Sequence, residues 1–288
     1  MPLFVLRRLL SFVLTLLATS VVVFAVLELL PGNAAQVILG ETATPESIAA
    51  MEEKLGLNQP AANRYLNWIG GMLQGQTGLS ISYDTPTAQL MAERLQVTLP
   101  LAVLAMGLTV ALALALGIYA ASQQNKAGDV GVMTLSQLGL ALPNFWLAIL
   151  LILLFAVHLE WVSAGGFPGW SGGGVLEGIK ALILPAMALA AVQTAILTRV
   201  TRSAVLDTLR EDFVRTARAK GLSRRQVLWG HVLRNAMIPV LTVMGLQFGN
   251  LITSAIVIEN VFVLPGIGRL IFQAIANRDL IVVRDVVM

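Results

Sequence analysis

Residues 199–235 read RVTRSAVLDTLREDFVRTARAKGLSRRQVLWGHVLRN, and nine of them are basic: Arg199, Arg202, Arg210, Arg215, Arg218, Lys220, Arg224, Arg225 and Arg234. The whole chain has 19 Lys and Arg, so nearly half of its positive charge falls in this one stretch. Leu206, Leu209, Phe213 and Ala217 step by three and four, which predicts a helix with a narrow apolar stripe. Lys220-Gly221 reads as its end, because a cation suits the last turn and glycine the left-handed residue after it. Ser223-Arg224-Arg225-Gln226 has capping-box form and starts a second helix carrying Val227, Leu228 and Val232. Two short helices at a glycine turn form a surface suited to docking another protein. A solvated loop lying on anionic lipid accounts for the same residues equally well.

Working outward, apolar runs of membrane-spanning length flank the loop, at about 179–198 and 236–258. Composition agrees. Hydrophobic residues make up 57% of the chain and charged ones 12%, with a mean hydropathy of +0.80. A soluble domain carries about 25% charged and 45–50% apolar residues, so lipid has to solvate the excess here. The net charge of +3 does not call for nucleic acid, because the basic residues gather at the edges of apolar runs, as the positive-inside bias demands. The 288 residues contain no cysteine, which excludes disulfides, thiolate metal sites and cysteine nucleophiles.

These features predict an all-α polytopic membrane protein. Residues 1–30 read as a cytoplasmic N-terminus with Arg7 and Arg8, followed by a first span; the junction at 30–33 does not resemble a signal-peptidase site. Residues 31–97 read as an extracytoplasmic helical segment. Thr44-Pro45-Glu46 starts a helix there, Ile48, Met51 and Leu55 give its apolar face, and Gly56 stops it. A second amphipathic piece follows Pro60, with Tyr65, Trp68, Ile69, Met72 and Leu73 on one side. Residues 98–288 form the rest, with the basic loop 199–235 inside it. Its spans are expected at 98–121, at 130–157 with an interruption at Pro143-Asn144, at 179–198 and at 236–258. The linker 158–178 lacks Lys and Arg and holds Trp161 and Trp170 for the interface belt. Gly245 and Gly249 have the spacing that lets membrane helices approach closely.

The alternation puts twelve basic residues on the cytoplasmic side and six on the outer side, leaving Arg284 unassigned. Residues 261–280 are expected outside the membrane. The run 281–288 starts as another apolar stretch and stops after eight residues, too few to cross. About six spans are therefore expected, with the last one cut short.

Catalytic patterns are missing. The sequence has no G-x-x-x-x-G-K-[ST], no H-E-x-x-H and no G-x-S-x-G, and its two histidines, His158 and His231, are far apart. The expectation is a protein that is not an enzyme and holds no cofactor or metal of its own. The polar groups in the spans are Asn144, Gln193, Gln247 and Asn250, with Glu259 at the end of the run at 236–258. Each reads either as a pathway or gate group or as an ordinary interhelical hydrogen-bonding group. For Glu259 a hydrogen bond to the Pro265-Gly266 turn is the favoured reading.

The order of the basic loop resembles the EAA loop of bacterial ABC-importer permeases. Thr216-Ala217-Arg218-Ala219-Lys220-Gly221 stands at the core of that motif, and His231-Val232-Leu233-Arg234 at its later part. Ala217, Gly221 and Leu233 keep the general consensus; Arg215 stands where the opening acid would be and Arg234 where a proline would be. The detailed form is similar to the dipeptide, oligopeptide and nickel branch of B-type permeases. Segments along nearly the whole chain carry this likeness: residues 30–32, 55–57, 75–80, where Gln76 replaces the usual Asp, 143–147, 258–262, 264–269 and 278–279.

The resemblance implies the type I importer permease fold in a bacterial inner membrane. It implies a second permease subunit, two ATPase subunits or domains that hold the ATP and Mg, and an extracytoplasmic binding protein. It makes Asp212, Phe213, Arg215, Thr216, Ala217, Arg218, Ala219, Lys220, Gly221, Leu222, Arg234 and Asn235 the loop that couples to the ATPase. Di- or oligopeptide is the implied cargo, and nickel or a metal chelate is the alternative within the same family. An ion-driven secondary transporter would instead place charges in mid-span and show internal repeats, and neither is seen in this sequence. A membrane anchor would not need so many broken spans.

Overall fold

The computed structural model describes residues 2–29, 35, 39, 43–54 and 56–288. The resemblance at 30–32, the junction residues up to Asn33 and the helical position Leu55 lie outside the described residues. Among the described residues every element is a helix, apart from one isolated antiparallel bridge between Leu79 and Pro86. Four helices are long and apolar enough to cross a membrane: Leu3–Leu29, Thr87–Ser122, Gly174–Thr208 and Arg224–Val261. A fifth crossing is made if Ala127–Ala141 and Asn144–His158, bent by 101° at the break, count as one broken span. The interruption expected at Pro143 is that bend, since proline excludes the preceding residue from helical geometry. The run expected as the start of a further span is the short helix Leu280–Val287. Residues 261–280, expected to lie outside as a connection, contain the apolar helix Ile267–Ala276.

The chain divides into two compact units: residues 1–95 with 270–288, and residues 96–269. In the first unit, Thr44 caps helix Pro45–Lys54 by accepting from the Ser47 amide at 3.3 Å. The helix stops at Gly56, whose φ of 66° lets the Leu57 amide reach back to the Glu52 carbonyl. Helix Ala61–Leu73 buries Trp68, against which Phe24 and Tyr65 pack. Leu73 does not join that face; it is exposed, being the last residue before the helix frays into the Gly75 turn.

Two buried carboxylates tie the first unit together. Asp285 accepts from Trp68 Nε1 at 2.9 Å, from the Gly78 amide at 3.1 Å and from Thr87 Oγ1 at 2.6 Å. Asp279 accepts from Ser80 Oγ at 2.6 Å and from the Ser82 amide at 3.0 Å, and caps Leu280–Val287 through the Val282 amide. A buried carboxylate with several donors is solvated by the protein in place of water.

The second unit is built on helix Gly174–Thr208. Two-thirds of its most apolar stretch (67%) is buried, against 6% for Leu3–Leu29, so the former is a core helix. Leu182, Leu189, Leu251, Ile258 and Phe262 form one cluster, and Leu197, Val205, Val214, Val227 and Val240 another. Trp170 is half-buried against this cluster: its Nε1 donates to the Gln96 carbonyl at 2.9 Å and its ring packs on Phe167. Trp161 is exposed, in keeping with a belt position. Among the described residues nothing lies within 4 Å of a Cβ placed at Gly245 or Gly249, so the small-residue face they form is open there.

Candidate functional site: the basic loop and the polar groups of the spans

Helix Gly174–Thr208 runs into the basic loop and stops in a turn at Leu209–Glu211, where the Glu211 amide bonds the Thr208 carbonyl. Helix Asp212–Ala219 then starts with Asp212 in its first turn and ends with Arg218 in its last, both signs favourable to the helix dipole. At its end the Gly221 amide reaches the Arg218 carbonyl and the Leu222 amide the Ala217 carbonyl. That double closure needs a left-handed residue, and Gly221 supplies it at φ 83°. The capping box forms as expected. The Gln226 amide donates to Ser223 Oγ, and the Ser223 amide donates to Gln226 Oε1 at 2.9 Å. Helix Arg224–Val227 passes through one π-helical stretch, Leu228–Val232, into the span Leu233–Val261.

One member of the apolar stripe sits a residue away from its expected place. Leu206 and Ala217 are buried and Leu209 partly so, but Phe213 is exposed and Val214 is fully buried in its stead. The turn at 209–211 resets the helical phase, which a single stripe from Leu206 onward does not allow for. Asp212, Arg215, Thr216, Arg218, Ala219, Lys220, Gly221, Arg234 and Asn235 are all exposed; Leu222 is half-buried. Arg215 makes a surface pair with Asp212 at 3.2 Å.

One of the nine basic residues is not part of the exposed surface. Arg202 grips the buried Asp129 with two hydrogen bonds, Nε to Oδ1 at 2.5 Å and Nη2 to Oδ2 at 2.6 Å. Asp129 also accepts from the Asn125 amide at 2.9 Å, so the turn before helix Ala127–Ala141 is locked to the root of the basic loop. No local pattern announces this pair, because its members stand 73 positions apart.

The polar span residues have separate fates. Gln247 Nε2 donates to the Gln193 carbonyl at 3.1 Å, which joins two of the candidates. Both side-chain carbonyl oxygens stay buried without a donor among the described residues. Thr194, Thr198 and Thr201 follow Gln193 on the same helix with buried hydroxyl oxygens in the same condition; of these only Thr194, beside Gln193, stands out in the sequence as part of a polar pair. Asn144 sits at the bend, its Oδ1 buried and without a donor among the described residues, while Asn250 is exposed.

Glu259 is fully buried and built into a turn. It accepts from Thr98 Oγ1 at 2.6 Å, from the Gly268 amide at 2.7 Å and from the Arg269 amide at 3.3 Å. The Ile267 amide in turn donates to Thr98 Oγ1 at 2.9 Å. Carboxylate and hydroxyl together satisfy the open amides that begin helix Ile267–Ala276. Any side chain at Gly266 would collide with the Glu259 carboxylate, and one at Gly268 with the Ile256 backbone. The chain enters this turn through Val263, left-handed at φ 55°, a conformation rare for a β-branched residue. Among the described residues no group of three or more His, Cys, Asp or Glu is placed to hold a metal ion.

The model of the family "Binding-protein-dependent transport system inner membrane component" matches residues 113–283, and its companion N-terminal model matches residues 1–102. A putative peptide transport system permease protein of Brucella suis is 40% identical over 99% of this chain and 90% of its own length. The dipeptide transport system permease protein of Alkalihalophilus pseudofirmus is 39% identical over 98% and 90%. The glutathione transport system permease protein of Escherichia coli is 40% identical over 96% and 87%.

Proposed function

The chain belongs to the binding-protein-dependent transport inner membrane family, and we propose that it is the permease subunit of an ATP-driven importer of short peptides. It is a multi-pass membrane protein of the permease type. Dipeptide, glutathione and peptide relatives, each covering nearly all of this chain, support a short peptide as cargo. In this reading an extracytoplasmic binding protein selects the peptide, a second permease completes the conduit, and two ATPase subunits hold ATP and Mg. The N-terminus and the basic loop then lie in the cytoplasm, where the positive-inside bias puts them. The open Gly245/Gly249 face is suited to the second permease.

The observation that carries the coupling role is the way the basic loop is mounted. Helices Asp212–Ala219 and Arg224–Val227 bury Val214, Ala217 and Val227 among side chains of the spans. The same two helices, with the capping Lys220 between them, expose Phe213, Arg215, Arg218, Arg224 and Arg225. A docking element has to be stiff towards its own domain and open towards its partner, and this one is both. ATP binding on the partner then biases a two-state permease through differential contacts with these residues, and hydrolysis removes the bias. Gln193, Gln247 and Asn144 are the span groups available to line a conduit. Glu259 acts as a structural cap.

Gly221→Val tests the reading. Valine is strained at φ 83°, at a cost of about 1–2 kcal/mol, and it meets no neighbour within 4 Å that would hold it. In proteoliposomes of the complete importer the expected result is an assembled complex that still hydrolyses ATP, with peptide uptake per ATP reduced roughly 5–30-fold. Unchanged uptake per ATP would show that the turn at Gly221 does not transmit the ATPase cycle.

A further inference from the structure

A cavity of about 340 Å³ opens in the first unit. Its walls include Phe24 and Leu27 from the last turns of the first span, Trp68 from helix Ala61–Leu73, and Ile281 from the C-terminal helix. Two guanidinium groups line it. The Arg284 Cζ lies over the Trp68 ring, 4.7 Å from its centroid, with Nε donating to Asp285 Oδ1 at 3.3 Å. Arg64 pairs with Glu28 through a terminal nitrogen, while its Nε is buried without an acceptor among the described residues. The cavity thus combines an oily wall with a donor-rich end, at the point where a span-length helix finishes at Leu29.

We propose that this cavity is a lipid site, taking the phosphate headgroup of a phospholipid on Arg284 and Arg64 and the start of its acyl chains along Phe24 and Leu27. The chemistry follows from the parts. An unsatisfied buried donor calls for an acceptor. Guanidinium groups match a phosphate by planar, bidentate hydrogen bonding. An apolar wall continuous with a membrane span suits a ligand that is itself half in the bilayer, and basic pockets beside spans are a recurrent form of headgroup recognition. The Arg284–Trp68 contact holds the guanidinium ready in the absence of ligand. The site lies apart from the basic loop in sequence and does not rest on the peptide-cargo reading.

The test is lipid retention by the full chain in maltoside micelles, read by native mass spectrometry. The probes are phosphatidylglycerol, a diacylglycerol with the same chains, and inorganic phosphate. Retention of phosphatidylglycerol about tenfold above diacylglycerol is expected, since each guanidinium adds to anion affinity. Arg284→Gln should abolish most of that preference. Because Arg284 also contacts Asp285, Leu57→Trp serves as a second variant; it fills the cavity and keeps both charges. It should lower retention to a similar degree with an unchanged thermal unfolding midpoint. Equal retention of diacylglycerol would overturn the proposal by reducing the site to an apolar surface. So would full displacement of the lipid by inorganic phosphate, which marks a small-anion site. Undiminished retention in Leu57→Trp would place the lipid elsewhere.

Discussion

Two helix ends in the second unit close in the same way and at different cost. After Asp212–Ala219 the amides of Gly221 and Leu222 turn back to the carbonyls of Arg218 and Ala217. After Leu233–Val261 the amides of Val263 and Leu264 turn back to those of Asn260 and Glu259. The first turn uses glycine, stands in the open and leaves its neighbours' charges unspent. The second forces a valine to φ 55° and holds it there: Phe262 and Leu264 are buried on either side, and Arg269 Nη1 bonds the Val263 carbonyl at 2.8 Å. A turn whose groups are all used inside the protein can carry strain, because its surroundings over-determine it. The exposed turn is built with glycine, which carries no such strain.

The contrast can be broken at its supports. Arg202→Ala removes the anchor at the root of the basic loop and leaves Asp129 with the Asn125 amide as its partner, which should cost about 1–3 kcal/mol. Unfolding in mixed micelles measures this, and the double variant Asp129→Ala/Arg202→Ala should recover part of the loss. Glu259→Ala leaves Thr98 and the amides of Gly268 and Arg269 without their acceptor, for about 2–3 kcal/mol. Proteolysis near residue 265 should rise in parallel. Val263→Gly relieves the left-handed strain and should stabilise by about 1 kcal/mol, after the chain-entropy cost of glycine is set against the gain. If Val263→Gly instead destabilises, the valine side chain matters more than its backbone angle, and the two turns are less alike than their hydrogen bonds suggest.

Local signals were readable in advance. The Thr44 cap, the Gly56 stop, the Ser223–Gln226 box and the bend at Pro143 each depend on neighbours within four residues, and each is present. The spans and the permease family were legible too, from apolar length and from ordered motifs. What escaped was non-local or depended on phase. The Asp285 and Asp279 networks join positions about 200 apart, and Arg202 was counted as loop charge because its partner lies two helices earlier. Phe213 is exposed because the stripe does not carry through the turn at 209–211. Of the polar span residues, the sequence could name amides and acids, but not which would be capped, joined or left open.

The span that leaves the basic loop is continuous from Arg224 to Val261, 38 residues including the π-helical stretch. At 1.5 Å per residue it is about 57 Å long, nearly twice the roughly 30 Å hydrocarbon core it has to cross. A helix of that length either tilts in the bilayer or extends beyond it. A tilt of about 5° about one end moves the other by roughly 5 Å, close to one helical turn. Over such a length a small rotation at one end becomes a displacement of about one helical turn at the other.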